Sequence, residues 1–242
     1  MKNIVLLGCG FVGKFLIPVL ESNGYKVFPT SRNPQSNLQG LSNSIKFDLM
    51  DESTYINIPA DSQIIFMFPA EPVEKLKIFY EYIKNTSTVK IVLGTTSSYK
   101  DTSGILNEKY PLSDQIKRVQ GETFLIKNGA VVLQLSGIYG GSRHPFKWLN
   151  KGLIKNSNKT VNLVHVNDIC KIILKFLESD LSSERFNLSD GQKYWWKDIW
   201  QLAKDRQEVF DECPPALIKE ERHISNKKLL SFIGENYSFE KL

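Results

Sequence analysis

The sequence predicts an α/β fold, a doubly wound parallel sheet with helices on both faces. Three observations predict it. Short apolar runs alternate with helix-like stretches through the first half of the chain. A glycine-rich turn, Gly8-Cys9-Gly10-Phe11-Val12-Gly13, follows the first run at once. With 242 residues, the chain is long enough to bury a substantial apolar core without a disulfide scaffold.

Taken in order, the predicted strands are Asn3 to Leu7, Tyr25 to Phe28, Ile45 to Phe47, Gln63 to Phe68, Val89 to Leu93 and Ala130 to Leu135. Between the first two, a helix from Phe11 to Ser22 carries Leu16, Val19 and Leu20 as an apolar stripe, and Asn23-Gly24 supplies its stop. Pro18 sits inside that helix. A second helix reads from Pro72 to Asn85, with Leu76, Phe79, Tyr80 and Ile83 at helical spacing and facing a core. After Ser136-Gly137-Ile138-Tyr139-Gly140-Gly141 the pattern loosens, and polar residues from Lys151 to Thr160 separate shorter apolar runs. The expected organisation is a nucleotide-binding core over 1–140. A smaller substrate-side region over 141–242 is expected to pack on it and add some sheet and helix elements.

The glycine turn stands between a strand and a helix, the context that gives a Gly-x-Gly-x-x-Gly pattern its meaning. Gly8 allows the tight turn, Gly10 admits a pyrophosphate, and Gly13 lets helix and strand pack closely. Backbone amides at the helix N-terminus, around Phe11 and Val12, then hold anionic phosphates with help from the helix dipole. This is a Rossmann-type dinucleotide cradle. An Asp or Glu at the end of the second strand would grip the ribose hydroxyls of NAD. The chain has Thr30-Ser31-Arg32 instead. Ser31 and Arg32 suit a 2′-phosphate, because a guanidinium is a planar bidentate donor and no carboxylate repels the anion. NADP is the expected cofactor and NAD the alternative; the competing reading of Arg32 is an ordinary surface arginine.

With these residues, several downstream motifs make the chain resemble the extended and atypical short-chain dehydrogenase/reductases, the NAD-dependent epimerase/dehydratase superfamily. Phe47-Asp48-Leu49 looks like the third-strand motif whose Asp reaches the adenine, and Phe68-Pro69-Ala70 like the fourth-strand end that lines the cofactor. Gly94-Thr95-Thr96-Ser97-Ser98-Tyr99 is similar to the Ser-rich strand end before the active site. Ser136-Gly137-Ile138-Tyr139-Gly140 and Arg143, His165-Val166-Asn167-Asp168-Ile169, Asn187-Leu188-Ser189-Asp190 and Ile224-Ser225-Asn226-Lys227-Lys228-Leu229 follow in the family's order. The resemblance implies Asp48, Leu49, Pro69 and Ala70 as further cofactor contacts.

The departure from the family lies on the helix that carries a Tyr and, four residues later, a Lys in members performing hydride chemistry. Counted back from Glu122, those positions hold Asp114 and Arg118. An ionised Asp and a permanently charged Arg cannot exchange a proton in the Tyr/Lys manner. The reading favoured is structural: Ser113 caps the helix, and Asp114, Arg118 and Glu122 form a surface ladder of (i, i+4) pairs. A repurposed acid/base pair is the alternative.

Ligands in such sheets sit beyond the strands' carboxyl ends, which makes Thr95, Ser97 and Tyr99 the candidate catalytic group. Their hydroxyls would bond a substrate carbonyl and Tyr99, or the nearby Tyr110, would donate a proton. Alternatively, the strand-end hydroxyls satisfy local backbone groups. A cleft between Tyr99, Tyr139 and the C-terminal region is the expected substrate site. His165 reads as structural, and Asp168 as an acid at a helix N-terminus. Trp195 and Trp196, beside Tyr194, either stack on a substrate or, in the favoured reading, pack the C-terminal region.

Composition bounds the rest. The net charge of +5 is modest and the lysines are scattered among acids, which speaks against nucleic acid as a partner. No apolar stretch is long enough for a membrane span, and Met1-Lys2-Asn3 with Ile4 to Leu7 is too short for a signal peptide. Cys9, Cys170 and Cys213 are far apart, so reduced thiols, no metal site and a cytoplasmic location are expected, with a homodimer as the allowed assembly. The function expected is an NADP-dependent oxidoreductase or epimerase acting on a small carbonyl or sugar-nucleotide-like substrate. Its rival is a non-catalytic NADP-binding sensor or partner protein.

Overall fold

The structure, a computed structural model, describes residues 2–101, 103–209 and 212–242. It opens with β1 (Asn3–Leu7), α1 (Phe11–Ser22), β2 (Lys26–Ser31), α2 (Pro34–Asn37), β3 (Ile45–Lys46), β4 (Ser62–Phe66), α3 (Val73–Ile83) and β5 (Ser87–Thr95). Then come β6 (Gly104–Leu106), α4 (Lys117–Lys127), β7 (Val131–Leu135), β8 (Gly137–Tyr139), α5 (Pro145–Asn150), β9 (Thr160–Val161) and β10 (Leu163–His165). The chain finishes with α6 (Val166–Leu177), β11 (Arg185–Leu188), β12 (Tyr194–Trp195), α7 (Trp196–Asp205), β13 (Arg222–Ile224) and α8 (Lys227–Ile233).

Seven strands form one sheet in the order β11-β7-β5-β4-β1-β2-β3. The β3-β2, β2-β1, β1-β4 and β4-β5 ladders are parallel. β1 lies in mid-sheet, and its Ile4, Val5, Leu6 and Leu7 are wholly buried, as expected of a parallel strand covered on both faces. Because β2 flanks β1 on one side and β4 on the other, strand order reverses at β1. The glycine turn after β1 therefore stands at the switch point, where open sheets of this kind bind ligands.

α1 has the expected bounds. Leu16 and Leu20 are buried as predicted, whereas Ile17 takes the inward place expected of Val19, which is half-buried. Asn23 caps it, and Gly24 follows at φ +79°. α3 starts one residue after Pro72 and ends at Ile83, with Leu76, Phe79 and Ile83 inside. These side chains meet Val5, Phe66 and Val132 in one core cluster.

The chain does not divide at residue 140. One compact unit comprises Met1–Ser98, Ser113–Gln134 and Ile169–Phe186, and the other Tyr99–Leu112, Leu135–Asp168 and Asn187–Leu242. The single boundary fails because most of α6 and the start of β11 belong with the sheet, while a segment preceding α4 belongs with the second unit. That unit is built from three two-stranded pairs, β8 with β10, β9 with β12, and β6 with β13. Its main core gathers Tyr139, Phe146, Leu149, Leu163, Trp196 and Ile199.

Candidate functional site

The turn after β1 is held from β2. Thr30 is fully buried; its Oγ1 accepts from the Gly8 amide at 3.0 Å, and its carbonyl accepts from the Cys9 amide at 2.9 Å. Its hydroxyl thus fixes the turn. Gly8 takes φ +78°, and a Cβ there would lie 2.6 Å from the Phe68 ring. Gly13 lies against Cys9, whose Sγ would be 2.7 Å from an added Cβ. Burial pushes the Cys9 thiol up to about 11, so the sulfur stays protonated and packs under the helix. Gly10 differs: an added Cβ would have Gly8 O, at 3.9 Å, as its nearest neighbour within 4 Å. The face of Gly10 is open, while Gly8 makes the tight turn and Gly13 the close packing that their spacing implies.

Charge agrees with that fit. No acid stands in the first turn of α1, whose cap, Gly10, offers no side chain. Amides of that first turn have no intrahelical acceptor. Lys14, which the motif reading overlooked, is exposed one residue past Gly13. A cation near a helix N-terminus opposes the dipole, so its presence there suits an anion. Arg32 is exposed immediately after β2, and among the described residues no carboxylate pairs with it. Ser31 Oγ accepts from Asn33 N at 3.2 Å and Asn37 Nδ2 at 2.9 Å, leaving its own proton to donate.

Asp48 is half-buried, and its Oδ1 accepts from Met50 N at 3.0 Å. Leu49 belongs to the core. Pro69 is exposed after β4, and Ala70 is buried so closely against α4 that a Cβ on Gly121 would lie 1.8 Å from its carbonyl oxygen.

At the end of β5, Thr95 Oγ1 accepts from Ser97 N at 3.2 Å, so this hydroxyl does satisfy the local backbone. Ser97 is exposed. Tyr99 belongs to the second unit, where it is 3% exposed and its hydroxyl donates to Asn187 Oδ1 at 2.7 Å. Asn187 Nδ2 in turn donates to Ser225 O at 3.1 Å. A phenol locked in this way does not offer itself as a proton donor, which corrects the catalytic expectation for Tyr99. Tyr139, the other supposed cleft residue, is also buried, and its hydroxyl donates to Glu240 O at 2.8 Å.

The surface ladder is also corrected. Ser113 does not cap α4, whose cap position is Ile116, and Asp114 lies exposed in the turn before it. Arg118 turns inward: Nε donates to Glu122 Oε1 at 3.1 Å and Nη2 to Leu93 O at 3.0 Å. Glu122 is completely buried, and its Oε2 accepts from Gln134 Nε2 at 2.9 Å. The helix thus starts too late for Asp114 to join, and the pair that does form is an internal one. Apolar positions bracketing Glu122, namely Val119 and Leu125, were the signal that this acid faces inward.

In the second unit, His165 Nδ1 lies 2.8 Å from Glu240 Oε2, and Asp168 accepts from Tyr237 OH and Glu240 N, both at 2.8 Å. These contacts anchor the C-terminal segment, in keeping with the structural reading of His165. Among the described residues no group of three His, Cys, Asp or Glu gathers to hold a metal, and no helix is long and apolar enough to cross a membrane.

No family model matches the chain. In sequence it is 22% identical over 248 aligned positions to a sterol-4-alpha-carboxylate 3-dehydrogenase, decarboxylating, of Dictyostelium discoideum, across 81% of this chain and 74% of that one. Among solved structures it is similar to UDP-glucuronic acid 4-epimerase from Bacillus cereus in complex with NAD, with TM-score 0.78, 19% identity and coverage of 100% and 93% of the two chains. UDP-glucose 4-epimerase from Thermotoga maritima, solved with UDP-glucose, matches with TM-score 0.76 and 16% identity over 100% and 94%. The chain therefore has the Rossmann-type fold of the NAD-dependent epimerase/dehydratases, the family that its ordered motifs resemble.

Proposed function

We propose that the chain binds NADP in the cradle after β1 and acts as an oxidoreductase or epimerase on a small carbonyl or sugar-nucleotide-like substrate, without the usual Tyr/Lys pair. The observation that carries this reading is the open face of Gly10, beside a helix start free of acids and an Arg32 with which no carboxylate pairs among the described residues. In this reading Gly8, Gly10 and Gly13, with the amides of Phe11 and Val12, receive the pyrophosphate. Ser31 and Arg32 receive the 2′-phosphate, Asp48 and Leu49 border the adenine, and Pro69 and Ala70 line the cofactor further along. Bound there, a nicotinamide supplies hydride exchange. Thr95 and Ser97 supply hydroxyls at the strand end for a substrate oxygen, while Tyr99 acts only by holding Asn187. The UDP-sugar named in the Thermotoga maritima structure supports the sugar-nucleotide class, and the NAD named in the Bacillus cereus structure keeps NAD as the alternative cofactor. A cytoplasmic location is inferred from three cysteines kept as free thiols, with a homodimer as the allowed assembly.

A second reading, the non-catalytic NADP-binding sensor or partner protein, is favoured by the engagement of Tyr99 with Asn187 and of Arg118 with Glu122. Calorimetry with NADPH and NADH, followed by single-turnover NADPH oxidation with aldehydes, ketones and nucleotide sugars, separates the two. Turnover lost in Ser97→Ala but kept in Asp114→Asn supports the enzyme. Tight NADPH binding without turnover on any compound supports the sensor, and absence of binding overturns both.

A further inference from the structure

The segment 215–220, between α7 and β13, is exposed throughout, and within it Leu217 and Ile218 are 56% and 84% exposed. Leaving two adjacent aliphatic side chains in water costs hydrophobic free energy. Here the backbone that carries them is fixed by amide groups beneath it. Asn156, itself buried, accepts from Leu217 N through Oδ1 at 3.1 Å and donates from Nδ2 to Ile218 O at 2.9 Å. Asn158 Nδ2 donates to Leu217 O at 3.2 Å, and Ser157 N to Pro215 O at 3.0 Å. The apolar pair is therefore presented on a braced loop.

Residues 156–160 also hold β12 and the start of α7, because Trp196 N donates to Lys159 O and Lys197 N to Ser157 O, both at 3.1 Å. Trp195 is half-buried there, with the ammonium groups of Lys219, Lys197 and Lys193 at 5.4, 5.7 and 6.0 Å from its ring centroid. One carboxylate, Glu221, pairs among these three, with Lys219 at 2.7 Å and with Lys193. Lys197 is exposed and makes no ion pair among the described residues. Its neighbour Asp198, in the first turn of α7, complements that helix's dipole, and Glu220 is answered by Lys159 at 2.6 Å. An exposed apolar pair, a half-buried indole and an excess of ammonium groups thus adjoin within the second unit.

We infer that this surface docks the chain on an anionic lipid bilayer, with Leu217 and Ile218 entering the headgroup boundary, Trp195 at the interface and Lys193, Lys197 and Lys219 against the anionic headgroups. The chemistry of the patch selects that partner. Aliphatic tips suit a fluid apolar phase, an indole favours the boundary between polar and apolar phases, and lysines attract anionic lipid. A protein partner would require about 800 Å² of matched contour on each side, far more than two aliphatic side chains and an indole offer. A bilayer shapes itself around them. The docking is peripheral and draws on nothing in the cradle after β1.

Flotation of the full chain with vesicles of phosphatidylcholine containing about 30% phosphatidylserine, beside vesicles of phosphatidylcholine alone, tests it. Binding should require the anionic lipid and fall as salt is raised. Ile218→Asp should weaken it about tenfold and Lys197→Gln about fivefold, whereas Ile56→Ser, at a comparably exposed aliphatic position in the other unit, should leave it unchanged. Leu217→Ser gives a second reading of the apolar pair, and thermal melts of these exposed-site variants should match the wild type. Three results overturn the inference: no flotation with the anionic vesicles, equal flotation with the neutral ones, or loss in Lys197→Gln with Ile218→Asp and Leu217→Ser unaffected. The last would mark a purely electrostatic surface, suited to a nucleic acid or an acidic protein. NADPH titration of Ile218→Asp should match the wild type, so failure of the docking surface is not failure of the cradle.

Discussion

Arg118 and Glu122 form an internal ion pair one turn apart on α4, with Nε 3.1 Å from Oε1 and the carboxylate wholly buried. The other guanidinium edge donates to Leu93 O, and Gln134 donates to the second carboxylate oxygen. Gln134 is also packed so tightly on Gly94 that a Cβ there would lie 2.6 Å from its Oε1. Leu93 is therefore hydrogen-bonded to this polar network and Gly94 is packed against it, just before Thr95. Arg118 and Glu122 thus brace the strand end from α4.

Removing one member of that brace should be costly. Arg118→Ala removes the hydrogen-bonded cation from a wholly buried carboxylate beside which Arg185 Nη2 remains at 3.7 Å, and is expected to lose about 1.5–3 kcal/mol in urea denaturation. Asp114→Asn, at an exposed turn position, should stay within about 0.5 kcal/mol of wild type. A large loss in Asp114→Asn would restore the ladder that the structure replaces.

The three glycines should separate into folding and binding roles. Gly8→Ala forces a side chain at positive φ into the Phe68 ring, and Gly13→Ala one into Cys9, so each should destabilise by about 1–3 kcal/mol. Gly10→Ala meets nothing closer than 3.9 Å and should fold nearly as well as wild type, while Gly10→Val abolishes dinucleotide binding. Thermal melts with and without NADPH read both effects.

Arg32→Ala should weaken NADP by about 1.5–3 kcal/mol and leave NAD nearly unchanged, because only NADP offers a 2′-phosphate to the guanidinium. Equal losses for the two cofactors in parallel titrations would return Arg32 to the solvated surface.

How much of this was legible depends on the range of the interactions involved. The strands, α1 and the turn and packing geometry at Gly8 and Gly13 follow from local patterns: apolar period, strand-to-helix context and the Asn23-Gly24 stop. The hydroxyl of Tyr99 and the inward turn of Arg118 were misjudged because Asn187 and Leu93 are distant from them in sequence. Nothing near Tyr99 announces that Asn187 will accept its proton, and nothing near Arg118 announces the Leu93 carbonyl. Likewise, the division of the chain at 140 treated sequence order as spatial order, which fails once α6 and β11 return to the sheet. Trp196 went as expected into the core, whereas Trp195 stays half-buried, with Lys219, remote in sequence, beside its ring.

The stability of the second unit should carry a pH dependence from Asp190. This carboxyl is 7% exposed, and burial, against the opposing hydrogen bonds from Gln192 N and Tyr194 OH, pushes it up from 3.8 to about 6, with the Asp168 charge adding to the rise. A folded-state value above the unfolded one means that the native protein binds the extra proton between those two values. The contribution is therefore fully present below about pH 4 and is lost as pH rises through 6. Asp190→Asn is neutral at every pH and lacks that slope. The stability of wild type relative to Asp190→Asn should then fall by about 2–3 kcal/mol between pH 4 and pH 7. Urea titrations of both proteins across that window measure the difference directly, and effects common to both proteins cancel in it. A difference that stays flat, or that grows with pH, would mean that Asp190 is held ionised by its two donors and that burial does not dominate its titration.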